Sequence, residues 1–102
     1  MASSAEYLEY VLDLLTDVPE VTTRKMMGEY LLYSSGKLFG GVYDDRFLVK
    51  DTPTSRAALS TSEVPYDGAS EMMLVDIEDR DSVADLVISM LSELPEPKGR
   101  RR

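Results

Sequence analysis

Asp44 and Asp45 stand side by side between two apolar runs. Such a pair can hold a hard cation or make the tip of a β-hairpin, and the turn is the expected use because aspartate tolerates left-handed backbone. A second acidic group, Asp76, Glu78, Asp79, Asp81 and Asp85 around Arg80, lacks EF-hand spacing and its central glycine. It is expected to be a solvated helix start whose charges complement the dipole. Met26, Met27, Met72 and Met73 suit an adaptable binding surface or core filling, and core is expected. Serine and threonine are plentiful, but the chain has no His and no Cys. No standard nucleophile–base pair, imidazole metal site or thiolate site can be assembled from what remains. Gly40-Gly41 opens no helix and precedes no Lys-Ser/Thr pair, so it is not a phosphate loop. Its expected use is close packing of a helix on a strand. The chain is therefore expected to be no enzyme and to carry no metal and no cofactor.

The basic residues are unevenly placed. Eleven basic side chains face nineteen acidic ones, a net charge of −8. Lys98, Arg100, Arg101 and Arg102 are four of the eleven, which leaves seven against nineteen, or −12, over residues 1–97. A body of that sign repels phosphate. A nucleic-acid reading would use Arg24, Lys25, Lys37, Arg46 and Lys50 with the tail residues Lys98, Arg100, Arg101 and Arg102, and would give weak, salt-sensitive contact.

These residues must be positioned by elements that the periodicity outlines. Ser3-Ser4-Ala5-Glu6 has the capping-box spacing, and Tyr7, Leu8, Val11, Leu12, Leu14 and Leu15 then recur at helical intervals before Pro19. From Val21 the pattern alternates, predicting strands over 22–27, 29–34, 37–43 and 46–50, with a bend at Gly28 and turns at Ser35-Gly36 and Asp44-Asp45. Thr52-Pro53 starts a short helix with Ala57, Ala58 and Leu59 inward, and Pro65-Tyr66-Asp67-Gly68 is a turn. A fifth strand runs over 71–77. Asp79 or Asp81 caps a last helix with an apolar stripe of Val83, Leu86, Val87, Met90, Leu91 and Leu94, ended by Pro95 and Pro97. The predicted fold is α+β: an antiparallel five-stranded sheet with helices on one face, in the order α-β-β-β-β-α-β-α.

Two-residue turns would put Leu31, Tyr33, Leu38, Gly40, Val42, Phe47 and Val49 under the helices. The opposite face would carry Tyr30, Leu32, Phe39, Tyr43, Arg46, Leu48 and Lys50, the candidate surface for a protein partner. Three helices cannot cover both sides of a sheet, so a homodimer through that face is expected. The competing arrangement is a twisted sheet whose Tyr and Leu side chains cover one another.

The run Thr23-Arg24-Lys25-Met26-Met27-Gly28, with Gly36-Lys37-Leu38-Phe39, Asp44-Asp45-Arg46 and Glu71-Met72-Met73, resembles the amino-terminal domain of the TfoX/Sxy family. Glu29 stands where that family often has a second glycine. The resemblance covers nearly all of residues 1–97, which make the expected domain, with 98–102 as a flexible basic tail. It implies a stand-alone interaction module acting by protein–protein contact in transcriptional or competence regulation. Weak nucleic-acid binding is the alternative. No apolar run approaches the ~18 residues that span a bilayer, and the first residues lack the marks of a signal peptide. A cytoplasmic location away from membranes is expected.

Overall fold

Three turns between strands have two central residues each, and in all three both central residues are at positive φ. They are Met27-Gly28 (53° and 85°), Ser35-Gly36 (52° and 83°) and Asp44-Asp45 (52° and 56°). This is the primed-turn geometry whose twist matches that of the flanking strands. The turns join β1 (Val21–Met26), β2 (Glu29–Ser34), β3 (Lys37–Val42) and β4 (Phe47–Val49). In the computed structural model, which describes residues 3–95, β5 (Ser62–Glu63) and β6 (Met72–Leu74) complete the sheet. Its order is β1-β2-β3-β4-β6-β5, antiparallel throughout. The sheet therefore has six strands where alternation predicts five. β5 is two residues long, too short for a period to register. Gly28 is a turn residue of the first hairpin rather than a bend inside a strand.

The predicted faces are half corrected. Val42 pairs with Phe47 and Gly40 with Val49, as two-residue turns require. Tyr33 pairs with Leu38, also as expected, but Leu31 pairs with Gly41 and Leu32 with Gly40. The register shifts at Leu32/Tyr33, which leaves Phe39 as an extra residue in β3. That bulge carries the two hairpins into different phase. Leu32, Phe39 and the half-buried Tyr30 consequently pack with the helices, while Leu31, Tyr33 and Leu38 move to the outer face. Tyr43, Leu48 and Lys50 lie on the outer face as expected.

The glycines beside the bulge have a different reason from the predicted one. A Cβ on Gly40 would come 2.3 Å from the Leu48 carbonyl oxygen, and one on Gly41 2.7 Å from both the Tyr30 carbonyl oxygen and the Tyr43 ring. Neighbouring strands and an aromatic ring, not a helix, exclude a side chain there.

Three helices close the core. α1 (Ala5–Leu14) is capped by Ser4, whose hydroxyl accepts from the Tyr7 amide at 3.1 Å. The cap is thus Ser4 rather than Ser3, and Glu6 is not its reciprocal partner. α2 (Pro53–Ala58) starts with a full capping box between Thr52 and Ser55. Ser55 and Leu59 point inward, whereas Ala57 and Ala58 are exposed. α3 (Arg80–Leu91) is capped by Asp79, which accepts from the Ser82 amide at 2.9 Å. It ends at Leu91, ahead of Pro95, and its stripe is buried as predicted except for the half-buried Leu91. Val11, Leu14, Leu15 and the α3 stripe meet Leu32, Phe39, Val42, Phe47, Val49 and Met73 in one apolar cluster.

Candidate functional site

The blocks Met27-Gly28-Glu29 and Asp44-Asp45, far apart in sequence, meet at the start of α1. One Glu29 carboxylate oxygen accepts from the Ser3 hydroxyl at 2.7 Å and from the Asp44 amide at 3.1 Å. The Ser3 amide donates to the Gly28 carbonyl at 3.2 Å, and the Ser3 hydroxyl accepts from the Asp45 amide at 3.1 Å. Asp45 accepts from the Ser4 amide at 2.8 Å. In a capping box a glutamate on the helix's own first turn would satisfy that N-cap amide; here a hairpin tip forty-one residues away does so. Asp44 and Asp45 are therefore a turn and a helix-locking device. Among the described residues no group of three or more Asp or Glu could hold a metal ion.

The outer face of the sheet carries the open surface. A groove of about 800 Å³ runs across it, with Met26, Leu31, Leu38, Tyr43 and Met72 as apolar lining, Tyr66 on one wall and Lys50 beside it. Tyr43 lays its ring on Gly41 and meets Tyr66 at 6.2 Å between centroids. The segment 64–70 thereby roofs part of the sheet. Burial, reinforced by the neighbouring Tyr66, pushes the Tyr43 hydroxyl above the ordinary tyrosine range. This cover is why Leu48 is fully buried and Tyr43 only 8% exposed. Of the seven residues expected to form a partner surface, Leu32 and Phe39 belong to the core and Tyr30 packs against it. Leu48 is covered, and Tyr43 and Lys50 line the groove. Arg46 is tied down: it pairs with Glu63, donates from Nε to the Tyr43 carbonyl at 3.1 Å, and reaches the Pro65 carbonyl at 3.3 Å. It anchors the roof rather than offering a contact. Sequence reasoning missed Leu31, Leu38 and Tyr66, because no signal marked the bulge or the folding back of 64–70.

The other basic residues divide sharply. Lys37 donates to the Leu91 carbonyl at 2.8 Å and closes the C-terminal end of α3. Arg56 makes a two-toothed pair with Asp51 at 2.9 and 2.6 Å, and its guanidinium holds the Asp51 carboxyl below the usual range. Arg80 binds Asp13 at 2.7 Å and joins α3 to α1. Arg24 and Lys25 are exposed on β1 and, with Lys50, are the basic side chains without a partner among the described residues. Lys98, Arg100, Arg101 and Arg102 lie outside the described residues. Of the methionines, Met73 is core and Met72 half-buried, but Met26 is 49% and Met27 94% exposed, contrary to the expected core role. Met27 occupies a turn position at positive φ, which places its side chain off the sheet.

The buried hydroxyls serve structure. Ser34 donates to the Pro19 carbonyl at 2.6 Å, and Ser55 donates to the Lys50 carbonyl at 2.6 Å. A shallower hollow between Tyr10, Asp13, Asp17, Glu78 and Arg80 is rimmed mainly by carboxylates. Among the described residues no helix is long and apolar enough to cross a membrane.

The family model for the TfoX N-terminal domain matches residues 13–75. An uncharacterized 12.7 kDa protein in the trpE 5'region of Spirochaeta aurantia is 33% identical over 105 residues, covering 99% of this chain and 91% of the relative. No solved structure matches. The chain belongs to the TfoX N-terminal domain family. The matched span takes in both turns that lock α1, all six strands and α2, and stops before α3.

Proposed function

We propose that this protein is a non-enzymatic interaction module that works by protein–protein contact in the regulation of transcription or competence, with the outer sheet face as its contact surface. The observation that carries the reading is the groove of about 800 Å³ on the side of the sheet the helices leave uncovered. Aromatic and methionine side chains beside unpaired basic groups are the composition that interfaces favour. The buried hydroxyls and the paired carboxylates are spent on caps and turns, which supports the absence of catalysis. Nucleic-acid binding is the weaker reading, since Lys37, Arg46, Arg56 and Arg80 are committed to internal partners.

The test is affinity purification from the native host with the wild-type chain and with Met26→Glu and Tyr66→Glu. Both positions are exposed, so the fold should tolerate the changes. The expected result is a co-purifying protein retained by the wild type and lost with both variants. Co-purification of nucleic acid alone, or retention of the same proteins by both variants, would contradict the reading.

A further inference from the structure

The first hairpin fixes which backbone groups of β1 face outward. Residues flanking a two-residue turn exchange both of their hydrogen bonds, and bonded pairs then alternate along the ladder. Met26 opposite Glu29 is such a pair, so Arg24–Leu31 and Thr22–Tyr33 are bonded too. The Ser35 amide donating to the Glu20 carbonyl at 3.1 Å continues the same phase. The N–H and C=O groups of Val21, Thr23 and Lys25 therefore point away from β2. β1 is the terminal strand of the sheet, and no described residue pairs with that side. At six residues it is a long edge, and every residue after Val21 is exposed. The opposite edge, β5, has two residues.

Charge says what fits there. β1 carries Arg24 and Lys25 and no acidic residue, so a short acidic segment meets two cations at contact distance, while the more distant carboxylates of the −12 body over residues 1–97 are screened by salt. The two are consecutive, so their side chains leave on opposite faces of the sheet. Arg24 shares the outer face with Leu31 and the groove. Lysine and arginine on an edge discourage a second copy of the same edge. Two such copies would also bring together bodies of charge −8 each. We propose that the free edge of β1 docks an extended, acidic segment of a partner protein, which adds to the sheet as a seventh strand. The proposal rests on the protein–protein reading above and gives it a partner chemistry.

The register makes the sequence of that segment specific. In antiparallel addition, successive partner residues lie opposite Met26, Lys25 and Arg24. The segment should read apolar–acidic–acidic, with its apolar side chain beside Met26 at the groove and one carboxylate on each face. Its main chain would bond the outward groups of Val21, Thr23 and Lys25.

The test is selection of random linear peptides displayed against the full chain, followed by amide NMR with the best peptide. The expected result is enrichment of apolar–acidic–acidic sequences, with shifts concentrated on residues 21–26 and binding that weakens as salt rises. Thr23→Pro removes an outward donor while keeping the ladder to β2, and should weaken binding by about tenfold or more. Arg24→Glu with Lys25→Glu changes exposed side chains alone and should reverse the preference to basic peptides. If Thr23→Pro unfolds the chain, the charge reversal decides by itself. Loss of binding in Tyr66→Glu but not in Thr23→Pro or the charge reversal would overturn the edge proposal while leaving the outer-face reading standing. Failure of any peptide to enrich would overturn the edge proposal alone, since the outer-face reading is decided by the affinity purification. A concentration-dependent dimer abolished by Thr23→Pro would put a second copy on the edge, and DNA binding abolished by the charge reversal would put nucleic acid there; either overturns the proposal.

Discussion

Gly40 shows how tightly one position can be fixed. Its Cβ would meet the Leu48 carbonyl and the Val49 Cα, both backbone atoms that cannot move without parting β3 from β4. Gly40→Ala should cost about 3 kcal/mol or more, read as a fall in the urea midpoint. Tyr43 offers a pH test. Burial raises its pKa above the ordinary value of 10.0, so the folded state keeps a proton that the unfolded state releases. The associated stability is complete below the unfolded value and is lost as pH rises through the higher folded value. Tyr7 is raised as well, again chiefly by burial. Melting temperatures should fall above pH ~10, and Tyr43→Phe should make that fall shallower. An unchanged alkaline profile in Tyr43→Phe would mean that the ring over Gly41 is not held in place.

At the scale of elements, the contact between α1 and two hairpin tips is what the chain order conceals. Glu29 serves donors on both sides of the contact. Glu29→Ala should cost about 1–3 kcal/mol, since it leaves polar groups without their acceptor. Amide exchange should quicken first in the opening turn of α1. The α3 stripe makes a second prediction: Leu86→Ala should cost ~2–5 kcal/mol, whereas the half-buried Leu91 should cost less. Much of this was legible in the sequence. The helical spacing of 7–15 and 83–94, the alternation from Val21, the turns at Ser35-Gly36 and Asp44-Asp45, and the Thr52-Pro53 start all stand in the structure. What could not be read was the bulge at Phe39. A single extra residue leaves no mark on an apolar run, yet it exchanges Leu31 and Leu38 with Leu32 and Phe39 between faces. The candidate surface was therefore half misread. The departure from a second glycine at Glu29 was the one visible signal of the contact with α1.

For the whole molecule, the division of basic side chains matters more than net charge. Four of the seven in residues 3–95 bind their own structure: Lys37 closes α3, Arg46 holds the roof, Arg56 pairs with Asp51 and Arg80 joins two helices. Those left over gather on β1 and at the groove. Arg24 and Lys50 lie on the open face and Lys25 on the other face of the same edge strand, an arrangement that would orient the acidic partner proposed above. The most direct test of this account is photo-cross-linking in the native host, with a benzophenone side chain placed singly at Met26, Tyr66 and Ile88. All three positions are exposed, and Ile88 lies on α3, away from the groove. The account predicts the same protein adduct from Met26 and Tyr66 and none from Ile88. Adducts to nucleic acid, or a protein adduct from Ile88 alone, would contradict it.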